Sequence, residues 1–440
     1  MAEMASMAPT TGGQYHWVSE LAPAHAQKYL SYVVGWLCTL GWQVGNAAIG
    51  YLAGTIIQGL VILNNPDYAP KQWEGTLIIW AVLTFSLLFN TFFASKLPMI
   101  EGIILVLHIL GFFAVLIPLW VLGTPAPAHD VFFTFQDGGG WGNQGLSCLV
   151  GMLSAVFTFL GPDSAAHMSE ELRDASRTLP LAMVWTAIVN GAMGFVMIIT
   201  LCFMIGDLET VLGTSTGYPF IQVIYNVTGS KAGTSVLVAI IIVVLCFGCV
   251  TNFATSSRQM WAFARDNGFP FSSFMAKVDA RREIPMNAII VTYAFAMIIS
   301  CINFGSAVAF NVVTSLATGA LLCSYVVSIS CLVVRRVNNR GLLPRRFDLG
   351  VWGLPVNVFS VFYLSLVFIM TFFPQSPRKF CSVLIFCVYP TNCLLVDLTP
   401  VNFNWNILIF SVVLLIAATY FVFKGRKVYT GPVVEVRKAM

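Results

Sequence analysis

The stretch LPLAMVWTAIVNGAMGFVMIITLCFMIG, residues 179–206, holds no charged side chain. About 20 apolar residues carry a helix across the hydrocarbon core of a bilayer, so this run alone predicts a membrane-spanning helix. Working outward, nine more such runs appear, over 30–63, 74–93, 98–122, 145–168, 233–262, 285–304, 307–334, 351–373 and 405–423. The first is long enough to tilt steeply or to extend beyond the bilayer. The expected fold is all-α and polytopic, a single transmembrane domain over 1–440 with about ten full spans and a partial one. Composition agrees. Of 440 residues, 58% are hydrophobic and only 10% charged, whereas a soluble domain carries roughly 25% charged residues.

Orientation follows from the basic residues, which favour the cytoplasmic side. Alternate connections hold Lys28, Lys96, Arg173, Arg177, Arg258, Arg265, Lys277, Arg281, Arg282 and the arginines between 335 and 346; the tail over 424–440 adds more. Only Lys71, Lys231, Arg378 and Lys379, four of the 23 basic residues, fall on the other side. The first set, and the C-terminus with it, is therefore expected in the cytoplasm. The sequon Asn226-Val227-Thr228 falls on the opposite side. Cys148, Cys202, Cys246, Cys249, Cys323 and Cys331 lie in apolar runs, where free cysteine acts as a small hydrophobe. No metal or cofactor is expected.

Two segments depart from this pattern. Residues 1–13 read as the end of a helix that starts further upstream, followed by a cytoplasmic loop over 14–29. In residues 375–396 the 380–396 part is apolar, holds three cysteines and is broken by Pro390. If it spanned, the last helix would reverse and its basic tail would lie outside, against the charge rule. A re-entrant segment is one reading. The preferred hypothesis is a non-native insertion such as translated intron, which a spliced transcript still encoding it would refute.

A transport site needs a helix that breaks inside the bilayer, because the freed N–H and C=O groups can then line a cavity. The candidate lies between Phe157 and Glu171. Gly161-Pro162 removes a backbone donor and strains the helix. Asp163 follows, and an ionisable group within a span marks a substrate, ion or proton path by default. The alternative is that Asp163 sits at the cytoplasmic mouth, where charge is cheap. His167 could shuttle protons or be structural, and Glu170 and Glu171 are expected to pair with Arg173 or Arg177. On the first span Trp42 and Asn46, four residues apart, share a helix face. Phe157, Phe159 and Trp42 are the candidate aromatic walls, suited to an ammonium through cation–π attraction, with Gly161 at the break. Asn252 is a further candidate, although polar residues also join helices. Gly45, Gly50 and Gly54 suit close helix packing.

Four ordered stretches carry a family resemblance: Gly12-Gly13-Gln14-Tyr15-His16-Trp17-Val18-Ser19-Glu20; Gly161-Pro162-Asp163 through Ser169-Glu170-Glu171; Ser257-Arg258-Gln259-Met260-Trp261-Ala262-Phe263-Ala264-Arg265-Asp266; and Gly425-Arg426-Lys427-Val428-Tyr429-Thr430-Gly431-Pro432. With them the chain resembles the amino acid–polyamine–organocation superfamily, and within it the fungal amino acid/choline permeases, which include GABA and choline transporters. The resemblance implies twelve helices, the first ten forming two inverted five-helix repeats. It makes residues 1–13 the end of helix 2 and the 145–168 run the broken helix 6. Helix 1, which supplies half of the family's substrate site, has no counterpart in the chain. The implied activity is import of a small cationic or zwitterionic amine, coupled to protons, across the plasma membrane. Asp163 would neutralise the ammonium or carry the proton, with His167 beside it. A truncated, non-transporting paralogue is the first alternative. A channel would need a charge ring or filter loop, and an enzyme a catalytic constellation; neither shows in the sequence. Nothing points to nucleic acid.

Overall fold

The computed structural model describes residues 1–304, 309–374, 404–429 and 431–432; the 375–396 segment lies outside them. The chain opens with two short helices, α1 (Ala2–Met7) and α2 (Gln14–Leu21). Three long ones follow: α3 (Gln27–Asn64), α4 (Gln72–Phe92) and α5 (Leu97–Leu122). After α6 (Ala128–Phe133) come α7 (Gln144–Thr158), α8 (Ser164–His167) and α9 (Ala175–Met204). Next are α10 (Leu208–Leu212), α11 (Pro219–Thr228), α12 (Lys231–Arg265) and α13 (Ser272–Met275). The last are α14 (Met286–Ser300), α15 (Ala309–Val337), α16 (Gly353–Met370), α17 (Asn406–Tyr420) and α18 (Arg426–Val428). Among the described residues nine helices are long and apolar enough to cross a membrane, and none of the elements is a strand.

The tenth apolar run, 145–168, is not one helix. It stops at Thr158 and resumes at Ser164. Gly161 takes φ 99°, a conformation that only glycine adopts without strain, and Pro162 supplies no N–H. The 15 residues of α7 rise about 22 Å, less than the roughly 30 Å hydrocarbon core. The run therefore crosses as two pieces, with the break inside the bundle.

Helix α3 is the central post. It packs most extensively on α15 and α12 and also touches α2, α4, α14 and α17. Its buried face runs from Tyr32 through Leu37, Trp42 and Ala47 to Ile56. Small residues permit the approach of α4. A Cβ on Gly54 would stand 2.7 Å from Ile79, and one on Gly50 3.0 Å from Leu83. Gly45 is different, since its added Cβ would meet only Asn252, at 3.9 Å. The outer helices show the opposite pattern. In α9 only 11% of the most apolar window is buried by the rest of the described chain, the pattern that suits an outer helix of a membrane bundle.

The basic connections gather at one end of the bundle. Arg336 and Arg345 reach Glu3 at 2.6 and 3.0 Å, Arg346 reaches Asp174 at 2.8 Å, and Lys28 Nζ donates to the Arg426 carbonyl at 2.7 Å. Glu3 is 1% exposed; its two guanidinium partners make so buried a carboxylate tolerable. Helix α2, expected as part of a loop, is folded against α3 and α15 and nearly all buried.

Candidate functional site

The break aims Asp163 inward. The carboxylate is fully buried and collects donors from separate parts of the chain. Gln14 Nε2, at the start of α2, donates to Oδ2 at 2.5 Å. Trp42 Nε1, on α3, donates to the same oxygen at 3.2 Å. Tyr325, on α15, donates its hydroxyl to Oδ1. His167 Nε2 stands 3.4 Å from Oδ2, and the His167 ring meets the Trp42 ring edge-on at 5.7 Å. A buried charge must be paired or hydrogen-bonded to persist, and donors from α2, α3 and α15 meet that need here.

Depth decides between the interior and the mouth. Tyr325 lies twelve residues before the Val337 end of α15, or about 18 Å along the axis. Trp42 is the sixteenth residue of the 38 in α3. Asp163 therefore lies within the bundle, well inside its basic end.

The expected aromatic walls are only partly assembled. Trp42 lies against Asp163. Phe157 instead packs into an apolar cluster with Leu37, Leu40 and Val313. Phe159 is 49% exposed and lines a groove of about 610 Å³ with Pro162, Met183, Tyr325 and Tyr363. Both phenylalanines precede the break, so the turn at Gly161 carries Asp163 away from them. That same turn brings Gly161 under Trp42, at 3.4 Å from an added Cβ.

Asn46 and Asn252 form a second cluster. Asn252 Nδ2 donates to Asn46 Oδ1 at 2.7 Å, and Asn46 Nδ2 donates to Ser256 Oγ at 2.5 Å. Gln43 Nε2 joins them by donating to Thr292 Oγ1 at 3.0 Å. This network ties α3 to α12 and α14. It touches the first cluster through the Trp42 carbonyl, which accepts from Asn46 Nδ2 at 3.3 Å.

The acidic pair after the break also differs from expectation. Glu171 pairs with Arg258 at 2.7 Å and Glu170 with Arg265 at 3.1 Å, not with Arg173 or Arg177. The single turn of 3-10 helix over Ser169–Glu171 directs both side chains toward α12. Arg265 also lies over the Trp261 ring at 4.7 Å.

Gln14 and Tyr325 were not singled out by the sequence reading. Gln14 stood inside a resemblance stretch, and Tyr325 follows Ser324 as a polar interruption of an apolar run; neither spacing reveals a partner 149 or 162 residues away. The sequence reading that no Cys-x-x-Cys spacing occurs is corrected by Cys246-Phe247-Gly248-Cys249. It is the two-residue spacing of many metal pairs, but it lies in α12, and no group of three metal-ligating side chains occurs among the described residues.

Comparison with known proteins fits this architecture. The family model described as amino acid permease matches residues 1–391. A Macrophomina phaseolina protein named as an amino acid/polyamine transporter is 34% identical over 377 residues, covering 85% of this chain and 83% of its own. The choline transporter of Saccharomyces cerevisiae is 29% identical over 398 residues, covering 88% and 69%. Amino-acid permease 2 of Neurospora crassa is 26% identical over 451 residues, covering 100% and 77%. With its long apolar helices and its match to the family across most of its length, the chain is an integral membrane transporter and belongs to the amino acid permease family.

Proposed function

We propose that this permease is a proton-coupled secondary carrier that imports a small cationic or zwitterionic amine, of the class of choline or GABA. The observation that carries the reading is a fully buried carboxylate, Asp163, placed directly after a helix break and held by side chains of α2, α3 and α15. The donors that hold Asp163 come from α2, α3 and α15. A substrate ammonium that displaces one of those donors separates the broken helix from α2, α3 or α15, so binding is linked to relative movement of these elements. Alternating access then consists of one group of helices rocking around this point.

Trp42 offers the ammonium an aromatic face beside the carboxylate. The basic end lies in the cytoplasm, by the excess of Lys and Arg there, and the membrane is the plasma membrane. The choline transporter and the amino acid/polyamine transporter among the relatives support the substrate class. Proton coupling is supported by His167 beside Asp163. The test is uptake of labelled choline and labelled GABA by the full chain in proteoliposomes. We expect saturable uptake of one of them, accelerated by unlabelled compound on the far side. A flux that grows linearly with concentration and shows no such acceleration would overturn the carrier in favour of a channel.

A further inference from the structure

Polar groups continue from Asp163 to the basic end. His167 is fully buried. Its Nδ1 lies 2.8 Å from the Thr11 carbonyl oxygen; a carbonyl only accepts, so Nδ1 carries a hydrogen. Nε2 faces Asp163 at 3.4 Å and makes no hydrogen bond. Past the ring lies a cavity of about 200 Å³ lined by Thr11, His167, Glu170, Glu171, Arg258 and Glu283. Thr11 is 2% exposed, yet its hydroxyl lacks a partner in the protein. Leaving a buried hydroxyl unpaired is costly. Water entering a polar cavity of this size offsets that cost.

We infer that His167 passes protons between Asp163 and this cavity, which is the proton port at the basic end. The inference rests on the carrier reading above. In the step, the O–H bond of protonated Asp163 breaks as an N–H bond forms at His167 Nε2, leaving a carboxylate and an imidazolium. The imidazolium then turns Nδ1 from the Thr11 carbonyl and gives the Nδ1 proton to cavity water or to a cavity carboxylate, leaving a neutral ring with its hydrogen on Nε2; loss of the Nε2 proton and uptake of one at Nδ1 through the cavity water reset the ring. No electrons are exchanged.

Titratable and charged groups surround His167 on several elements. Asp163, Glu170 and Glu171 face or flank His167 on its own segment. Tyr325 of α15 and Cys38 of α3 lie by Asp163. Arg258 of α12 forms part of the cavity wall but is tied to Glu171. Glu283, before α14, completes the wall. His16 of α2 faces Glu20, at 3.9 Å. The turn between α1 and α2 brings the Thr11 carbonyl and Gly13, whose added Cβ would stand 2.8 Å from His167 Cε1.

The test measures two fluxes of labelled choline, and in parallel of labelled GABA, with the full chain in proteoliposomes. One is accumulation driven by a pH gradient; the other is exchange against preloaded unlabelled compound without a gradient. For His167→Gln we expect accumulation to fall by about 100-fold, the scale of a lost acid–base group, with exchange still measurable. Accumulation at the parent level would overturn the relay. If His167→Gln loses both fluxes, Thr11→Val decides, because the Thr11 hydroxyl has no partner whose loss would disturb packing. Slower accumulation with exchange retained supports the relay, and unaltered accumulation overturns it. Absence of both fluxes in the parent chain would instead overturn the carrier reading, so the two failures are separable.

Discussion

Two polar clusters sit one turn apart on α3, around Trp42 and around Asn46, and they differ in kind. The Asp163 cluster holds a charge, lies at a broken helix and adjoins two cavities, one reaching Tyr325 and the other His167. The Asn46 cluster is neutral. Its amides and hydroxyls bond between α3, α12 and α14, each continuous at that point. Polar groups inside a membrane protein thus serve two purposes. Paired amides between unbroken helices act as glue. A carboxylate at a break, held by donors able to let go, is suited to exchange partners.

A third buried polar group sharpens the comparison most strongly. Glu3 is as buried as Asp163 but is held by two arginines at the basic end. Glu3→Gln leaves Arg336 without its ionic partner, a loss of about 3–5 kcal/mol. We expect a sharp fall in folded protein, read by detergent thermal melts, with KM of the surviving fraction unaltered. A changed KM would mean that burial of charge alone makes a site.

Within the Asp163 cluster, Tyr325→Phe removes one hydrogen bond to a charged group, worth about 1.5–3 kcal/mol. Net accumulation should fall by at least about tenfold at equal surface amount. Unaltered accumulation would make Tyr325 a spectator. In the other cluster, Asn252→Ala should cost only about 0.6 kcal/mol in melting stability, with accumulation near the parent level.

The smallest effect concerns pH. His16 on α2 is buried and near Arg265, which together push its pKa down to about 4 from the usual 6.5. Glu20, at 3.9 Å, is beyond hydrogen-bond distance and does not reverse this. The unfolded chain therefore binds the extra proton first. Stability should be full above about pH 6.5 and decline as the pH falls toward 4. His16→Gln should flatten that slope in melts; an unaltered slope would assign it to other groups.

The nine long helices and the position of the break were legible in the sequence. Hydrophobic length specifies a span, and Gly161-Pro162 specifies a discontinuity by local sterics alone. The basic end was legible too, since charge placement is additive along the chain. The membership of the site was legible only in part. Trp42 and Asp163 do meet, but Phe157 and Phe159 point elsewhere, because the turn at Gly161 sets directions that spacing does not encode. Gln14 and Tyr325 come from opposite ends of the chain, and only tertiary packing places them on one carboxylate. The acidic pair at 170–171 illustrates the same limit. Nearness in sequence favoured Arg173 and Arg177, whereas one turn of 3-10 helix delivers both carboxylates to α12.

The most direct test is accumulation of labelled choline and labelled GABA by cells making Asp163→Asn and Asn252→Ala at equal surface amounts. We predict that Asp163→Asn falls to background, because the amide neither carries the charge an ammonium needs nor takes up the proton, while Asn252→Ala stays near the parent. Parent-level accumulation by Asp163→Asn, or equal loss in both variants, would contradict the assignment of the transport site to the broken helix.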